Sequence, residues 1–264
     1  MTTGLDNDTG KNVLSFNAAT GIQKTKISQE CPFCNVKHLS NIIDCQEEMV
    51  LLENKYPTLE GTTQLVLIES AQHDGDVANY DKDNWGDILC FAIHAWNQLT
   101  ASERYISVLL YKNFGPQSGG SQKHPHMQIV GLKEINGYAQ IEEFNFSGPM
   151  LQEQSGVIVN VSDRPIMGFF EVNIIWKDNS QLEVAAEKIR NTVKYILKSY
   201  YDGLCDAYNL FFYKINGDYI CKVVPRFVAS PYFIGYKIGQ KFNDEYVRYL
   251  KDEYQEYCYK ISLE

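Results

Sequence analysis

The chain has 264 residues, 44% of them hydrophobic, with 24 Lys and Arg against 33 Asp and Glu and a net charge of −9; that size suits one large globular domain or two small ones. The longest apolar runs, Gln64 to Ile68 and Leu89 to Ile93, stop far short of the roughly 20 residues that span a bilayer, and no basic-plus-apolar leader opens the chain, so the expectation is a cytoplasmic protein, neither membrane-bound nor secreted. The acidic balance repels a phosphate backbone and disfavours nucleic-acid coating, though a local basic pocket can still hold a single nucleotide.

Met1 to Lys26 is polar, rich in Gly, Thr, Asn and Asp and without periodicity, which predicts a loose arm (residues 1–26) that orders only near Ile27. Met49 to Glu53 and Gln64 to Glu69 are short apolar runs separated by Tyr56-Pro57 and Gly61, the pattern of two paired strands. A helix follows, with Asp83 as its expected N-cap and Trp85, Ile88, Leu89, Ala92, Trp96 and Leu99 on one face. Arg104 to Lys112 has strand composition, Asn113 to Lys123 is a Gly/Ser loop, and His126 to Leu132 returns to strand.

The second half repeats this order. Val157 to Val161 and Gly168 to Trp176 suit strands, and Ser180 with Glu183 predicts a capping box. The helix it opens has a face of Leu182, Ala185, Ile189, Val193, Ile196, Leu197 and Tyr200 and ends near Asp202-Gly203. Tyr208 to Lys214 and Tyr219 to Val224 alternate like strands around Asn216-Gly217, a type I′ hairpin signal, and a last amphipathic helix covers Asn243 to Tyr257. The expected fold is therefore α+β: duplicated half-domains, 27–150 and 151–264, of antiparallel sheet with flanking helices, the two sheets packed or joined.

All five histidines, at 38, 73, 94, 124 and 126, lie in the first half, so any histidine or metal chemistry belongs there. His94 is out of phase with the Trp85–Trp96 face, hence exposed and without a role. Seven cysteines, of which only Cys31 and Cys34 are closely spaced, indicate a reducing compartment in which cysteine packs or binds metal. The densest constellation runs from Asn113 to Gln128. On a strand His124, His126 and Gln128 share one side while Met127 and Ile129 point into the core. A glycine-rich loop lets backbone N–H groups approach phosphate, and an imidazole at its end can attack phosphorus; two buried, hydrogen-bonded structural histidines are the alternative.

Asn113, Gly115, Gly119, Ser121 and His124-Pro125-His126-x-Gln128 stand in a register that resembles the galactose-1-phosphate uridylyltransferase branch of the histidine-triad (HIT-like) superfamily, which also holds sugar-nucleotide phosphorylases. Cys31-Pro32-Phe33-Cys34, Glu53-Asn54-Lys55-Tyr56-Pro57 and His73-Asp74 resemble further blocks of that family in the same order. The resemblance implies that His126 is a nucleophile forming a covalent nucleotidyl-imidazole, that Gln128 donates to the non-bridging phosphate oxygens, and that Ser121 with the Gly119 and Gly120 amides supports the leaving phosphate. It also implies substrate contacts at Asn113, Gly115 and Asn54, a structural zinc on Cys31, Cys34, His73 and His124 with His38 as rival ligand, and a homodimer. The first half would be catalytic and the histidine-free second half not.

The function so implied is a nucleotidyltransferase moving UMP or AMP between a nucleotide sugar and a phosphorylated acceptor such as a sugar phosphate. Gln128 stands where the hydrolases carry a third histidine, which favours a transferase or phosphorylase over a simple hydrolase. A phosphorylase or hydrolase of nucleotide sugars or dinucleoside polyphosphates, or an inactive nucleotide-binding module, are the alternatives. The chain departs from the family in its arm, which offers Lys11, Lys24 and Lys26 where the family has arginines, and in the second half, where Arg226 is the best cation for an anionic group. The tyrosines at 246, 249, 254, 257 and 259 suggest packing or a subunit contact.

Overall fold

The structure, a computed structural model, describes residues 12–25, 31–227 and 230–263. The first half contributes helix α1 (Ala18–Thr25), strands β1 (Ile42–Gln46), β2 (Met49–Glu53) and β3 (Thr62–Ile68), helix α2 (Lys82–Ala101), and strands β4 (Ser107–Phe114) and β5 (His126–Leu132). The second contributes β6 (Met150–Gln154), β7 (Val157–Val161), β8 (Val172–Trp176), α3 (Leu182–Lys198), β9 (Tyr208–Ile215), β10 (Asp218–Pro225), α4 (Pro231–Tyr236) and α5 (Asp244–Ile261). The strands form one antiparallel sheet in the order β1-β2-β3-β5-β4-β9-β10-β8-β7-β6. Each half thus repeats a single strand order, and the two join edge to edge where β4 pairs with β9, Asn113 opposite Asn209. The duplicated α+β unit expected from the sequence is borne out, with the sheets joined and not stacked.

One face of the sheet carries the helices. Trp85, Ile88, Leu89, Ala92 and Trp96 of α2 and Ala185, Ile189, Val193 and Ile196 of α3 are buried against Leu67, Leu110, Met127, Ile174 and Val223. The Trp85 indole donates to the Ala186 carbonyl at 3.0 Å, tying the helices of the two halves together. Two lysines inside this sheet are fully buried, and each is neutralised: Lys112 lies 2.5 Å from Glu69 and Lys222 lies 2.9 Å from Glu171. The opposite face is covered only locally. Phe33, Val36 and Leu39 pack on Val50, Leu52, Val66 and Ile68 in the first half, and Tyr138, Ile141 and Phe146 pack on Tyr213 and Ile220 in the second.

Several local expectations need correction. The N-cap of α2 is Asp81, whose side chain accepts from the Asn84 amide at 2.7 Å; Asp83 sits inside the first turn, where an acid favours the helix dipole. Ser180 and Glu183 make no capping box. Asp178 instead accepts from the Ser180 amide and hydroxyl, a 3-10 turn intervenes, and Glu183 pairs with Lys82 at 2.9 Å. α3 ends at Lys198, short of Tyr200, and Tyr201 and Asp202 then take left-handed backbone angles. The arm is ordered earlier than Ile27: Phe16 bridges Leu59, and Asn17 accepts from the Thr20 amide at the start of α1. Met1–Lys11 and Lys26 lie outside the described residues. The Asn216-Gly217 turn is as expected, with φ of 53° and 89°.

Candidate active site

β5 is where packing and chemistry separate. Paired between β3 and β4, it turns Met127 and Ile129 fully into the helix-side core, so the residues that alternate with them, His126 and Gln128, face the open side. There they line a cleft of about 530 Å³ together with Asn54, Tyr56, His38 and Ser121. The floor is apolar, with Leu52 and Val66, and Phe33 sets its ring edge-on to His126 at 5.5 Å.

The His126 ring is oriented by its own chain. Its Nδ1 lies 2.8 Å from the His124 carbonyl oxygen, an atom that can only accept, so Nδ1 carries the proton and the lone pair belongs to Nε2. Gln128 is oriented in the same manner by its neighbour across the strands. Tyr111 of β4 stands opposite Gln128 in the register and donates its hydroxyl to Oε1 at 3.1 Å, which assigns the amide nitrogen to the other side as the donor. Burial raises the Tyr111 hydroxyl above its ordinary pKa, so it stays protonated.

Behind the cleft the four residues expected as metal ligands come together. Cys31, Cys34, His73 and His124 place one ligand atom each within 4.8 Å of one another, and Cys34 Sγ lies 3.2 Å from His73 Nδ1 and 3.5 Å from His124 Nδ1. A metal bound tetrahedrally at Zn–N and Zn–S lengths separates its ligands by about 3.3–3.8 Å, so the set needs little adjustment to hold an ion. The His124 ring is prepared for it: Nε2 donates to the Ser70 carbonyl at 2.8 Å, which leaves the Nδ1 lone pair towards the sulfurs, and burial lowers its pKa so that the neutral form prevails. Partial desolvation and the neighbouring Cys31 sulfur raise the Cys34 thiol above its ordinary value, an effect that a bound cation would oppose. All seven cysteines are free thiols. His38 lies on the cleft wall outside this cluster, and His94 is exposed against Gln98.

The rest of the glycine-rich loop is placed differently from Ser121. Asn113 does not line this cleft; its Oδ1 accepts from Asn209 across the seam at 2.6 Å. Gly115, at φ +84°, leaves no room for a side chain, since a Cβ would sit 2.3 Å from the Asp206 carbonyl oxygen. Gly119 and Gly120 shape the loop that returns Ser121 to the cleft, and neither borders it. Two features escaped the sequence. Tyr111 reads as one more aromatic in a strand, and only its cross-strand spacing to Gln128 could have marked it. Phe33, the variable position of Cys-Pro-x-Cys, carries no signal of its contact with His126.

The family profile described as Domain of unknown function (DUF4931), N-terminal domain, matches residues 14–135, and its C-terminal counterpart matches residues 138–257. The chain belongs to the DUF4931 family. A family member from Bacillus cereus ATCC 10987 is 42% identical, with 82% of this chain and 99% of that one covered and a TM-score of 0.75. At the level of fold alone, the chain is similar to a GalT-like protein from Arabidopsis thaliana (19% identity, 87% and 92% covered, TM-score 0.67). It is likewise similar to an ADP-glucose phosphorylase from Arabidopsis thaliana with bound ADP-glucose (18%, 92% and 98%, 0.66). No curated protein matches. The fold resemblance read from the motifs therefore holds. Among the described residues no helix is long and apolar enough to cross a membrane.

Proposed function

We propose that the protein is a nucleotidyltransferase of the HIT-like type that moves a nucleoside monophosphate, UMP or AMP, from a nucleotide sugar to a phosphorylated acceptor through His126. The observation that carries this reading is the Nδ1 contact of His126 with the His124 carbonyl, which leaves the nucleophilic pair on Nε2. That pair attacks the α-phosphorus, a P–N bond forms, and the P–O bond to the leaving phosphate breaks with its electrons on that oxygen. The ring becomes cationic in doing so, and its bond to the His124 carbonyl strengthens accordingly. An acceptor phosphate oxygen then attacks the same phosphorus, and the P–N electrons return to Nε2.

Gln128, held by Tyr111, donates to the non-bridging oxygens, and Ser121 faces the same cleft beside Lys123 to support the leaving phosphate. Asn54 borders the cleft where the nucleoside would lie. Cys31, Cys34, His73 and His124 would hold zinc as a closed structural centre, joining the Cys31–Leu39 segment to the head of β5. The Arabidopsis relative that binds ADP-glucose supports a nucleotide sugar as donor.

The two-step route predicts exchange of labelled glucose 1-phosphate into UDP-glucose or ADP-glucose with no other substrate present. Exchange retained in His126→Ala, or absent from the wild type with every donor while product still forms, would contradict it.

A further inference from the structure

Packing accounts for only part of the tyrosine cluster in the last helix. Tyr254 is fully buried against Tyr195, whereas Tyr246 is half-buried and Tyr249 exposed. These two stack on each other at 5.6 Å and, with Tyr201, Asp202 and Glu253, wall a cavity of about 440 Å³ between α5 and the turn that follows α3. In that turn Tyr201 and Asp202 both take left-handed angles, φ 56° and 55°, which a residue with a Cβ adopts reluctantly. The turn sets Tyr201 against Phe227 and brings Asp202 to the cavity. Glu253 is held by its neighbours. Tyr195 donates its hydroxyl to one oxygen at 2.5 Å and Tyr249 to the other at 3.4 Å, so the carboxylate keeps its position with lone pairs left over.

The cavity has one electrical sign. Among the described residues its lining holds two carboxylates, three phenols and no basic group, and neither Asp202 nor Glu253 lies within ion-pair distance of a lysine, arginine or histidine. The Glu253 charge raises the Tyr249 hydroxyl above its ordinary pKa and Asp202 adds to the effect, as a negative potential without a counter-ion does. α3 stops at Lys198, so the negative end of its dipole lies at the same turn. Anions are therefore disfavoured. Calcium takes about six to eight oxygens, more than two carboxylates supply. An ammonium group suits the lining better, because it donates to carboxylate and phenol oxygens, and tyrosine rings attract a cation while covering its methylene chain.

We infer that this cavity binds a small aliphatic diamine, its two ammonium groups taken by Asp202 and Glu253 and its methylene chain laid against the tyrosine rings. The cavity shares no lining residue with the cleft of His126, so the inference stands apart from the nucleotidyl-transfer reading. Calorimetry on the full-length, metal-containing protein tests it, with diaminobutane, its neutral counterpart butanediol and calcium chloride as probes. Salt at about 150 mM screens the general attraction of cations to an acidic chain. The wild type should bind one diamine per chain and no diol. Glu253→Gln should weaken that binding by about tenfold or more, and Asp202→Asn and Tyr249→Ala by about two- to fivefold each.

Asparagine tolerates left-handed angles, so Asp202→Asn should keep the melting temperature, and UMP and AMP affinities should hold in all three variants. No diamine binding, equal binding of the diol, or calcium bound as tightly as the diamine would overturn the inference, as would diamine affinity unchanged in both carboxylate variants. Full affinity in Asp202→Asn with a lowered melting temperature in Glu253→Gln would make Glu253 a clamp between helices and overturn it too.

Discussion

The two halves of the sheet share one strand order but join their last two strands differently. In the second half β9 and β10 are joined by Asn216-Gly217, a tight turn that keeps the hairpin continuous. In the first half the corresponding join from β4 to β5 is the glycine-rich loop that runs from Gly115 to Pro125, and it delivers Ser121 and Lys123 to the cleft and His124 to the metal cluster. Packing alone asks for the short version. The long one costs loop-closure entropy and exposes backbone, and the groups it brings together are those of the candidate site. A repeated scaffold thus presents the candidate site where one turn has been replaced by a loop. Both halves bury a lysine–glutamate pair, so the pairs belong to the scaffold and not to the chemistry.

Substitutions can break this comparison. Lys112→Met leaves Glu69 buried without its cation on the helix side of the sheet, and should cost about 3–5 kcal/mol in chemical denaturation. Lys222→Met should cost a similar amount in the second half, where Glu171 also accepts from the amides of Ile166, Met167 and Gly168; a much smaller loss there would show the halves to be unequal scaffolds. Cys34→Ser should remove about one metal ion per chain by elemental analysis and lower the melting temperature by roughly 4–8 °C, the equivalent of about 2 kcal/mol. Metal-free wild-type protein with the same melting temperature would argue that the cluster does not secure β5. Tyr111→Phe frees the Gln128 amide to rotate and should slow transfer about three- to tenfold, the worth of one hydrogen bond, with little change in stability. Gly217→Ala, at φ +89°, should cost about 1 kcal/mol of stability and leave nucleotidyl transfer alone, since no site residue depends on that turn.

Much of this was legible in the sequence. The alternation of His126, Met127, Gln128 and Ile129 fixes which side chains are cleft and which are core, because a strand has only two faces. The four candidate metal ligands could be chosen through the family resemblance, since residue type alone left His38 as a rival for them. The elements that were missed are those with weak patterns. β1 (Ile42–Gln46) is an exposed edge strand with no buried face, and β6 (Met150–Gln154) is the other edge, with Leu151 alone fully buried. Asp81 was passed over for Asp83 because both acids suit a helix start and only the backbone geometry separates them. Asn113 illustrates a deeper limit: its motif position suggests a ligand contact, yet its side-chain oxygen accepts from Asn209 of the other half, a contact 96 residues away along the chain. Nothing local encodes that pairing.

The central claim is that Nε2 of His126 becomes covalently attached to a nucleotide. Intact-protein mass spectrometry after brief incubation with UDP-glucose, ADP-glucose and dinucleoside polyphosphates tests it most directly, with His126→Ala beside the wild type. The account predicts a mass gain of one nucleoside monophosphate on the wild type alone, lost again when glucose 1-phosphate is added. Turnover without an adduct, or the same adduct on His126→Ala, would contradict it.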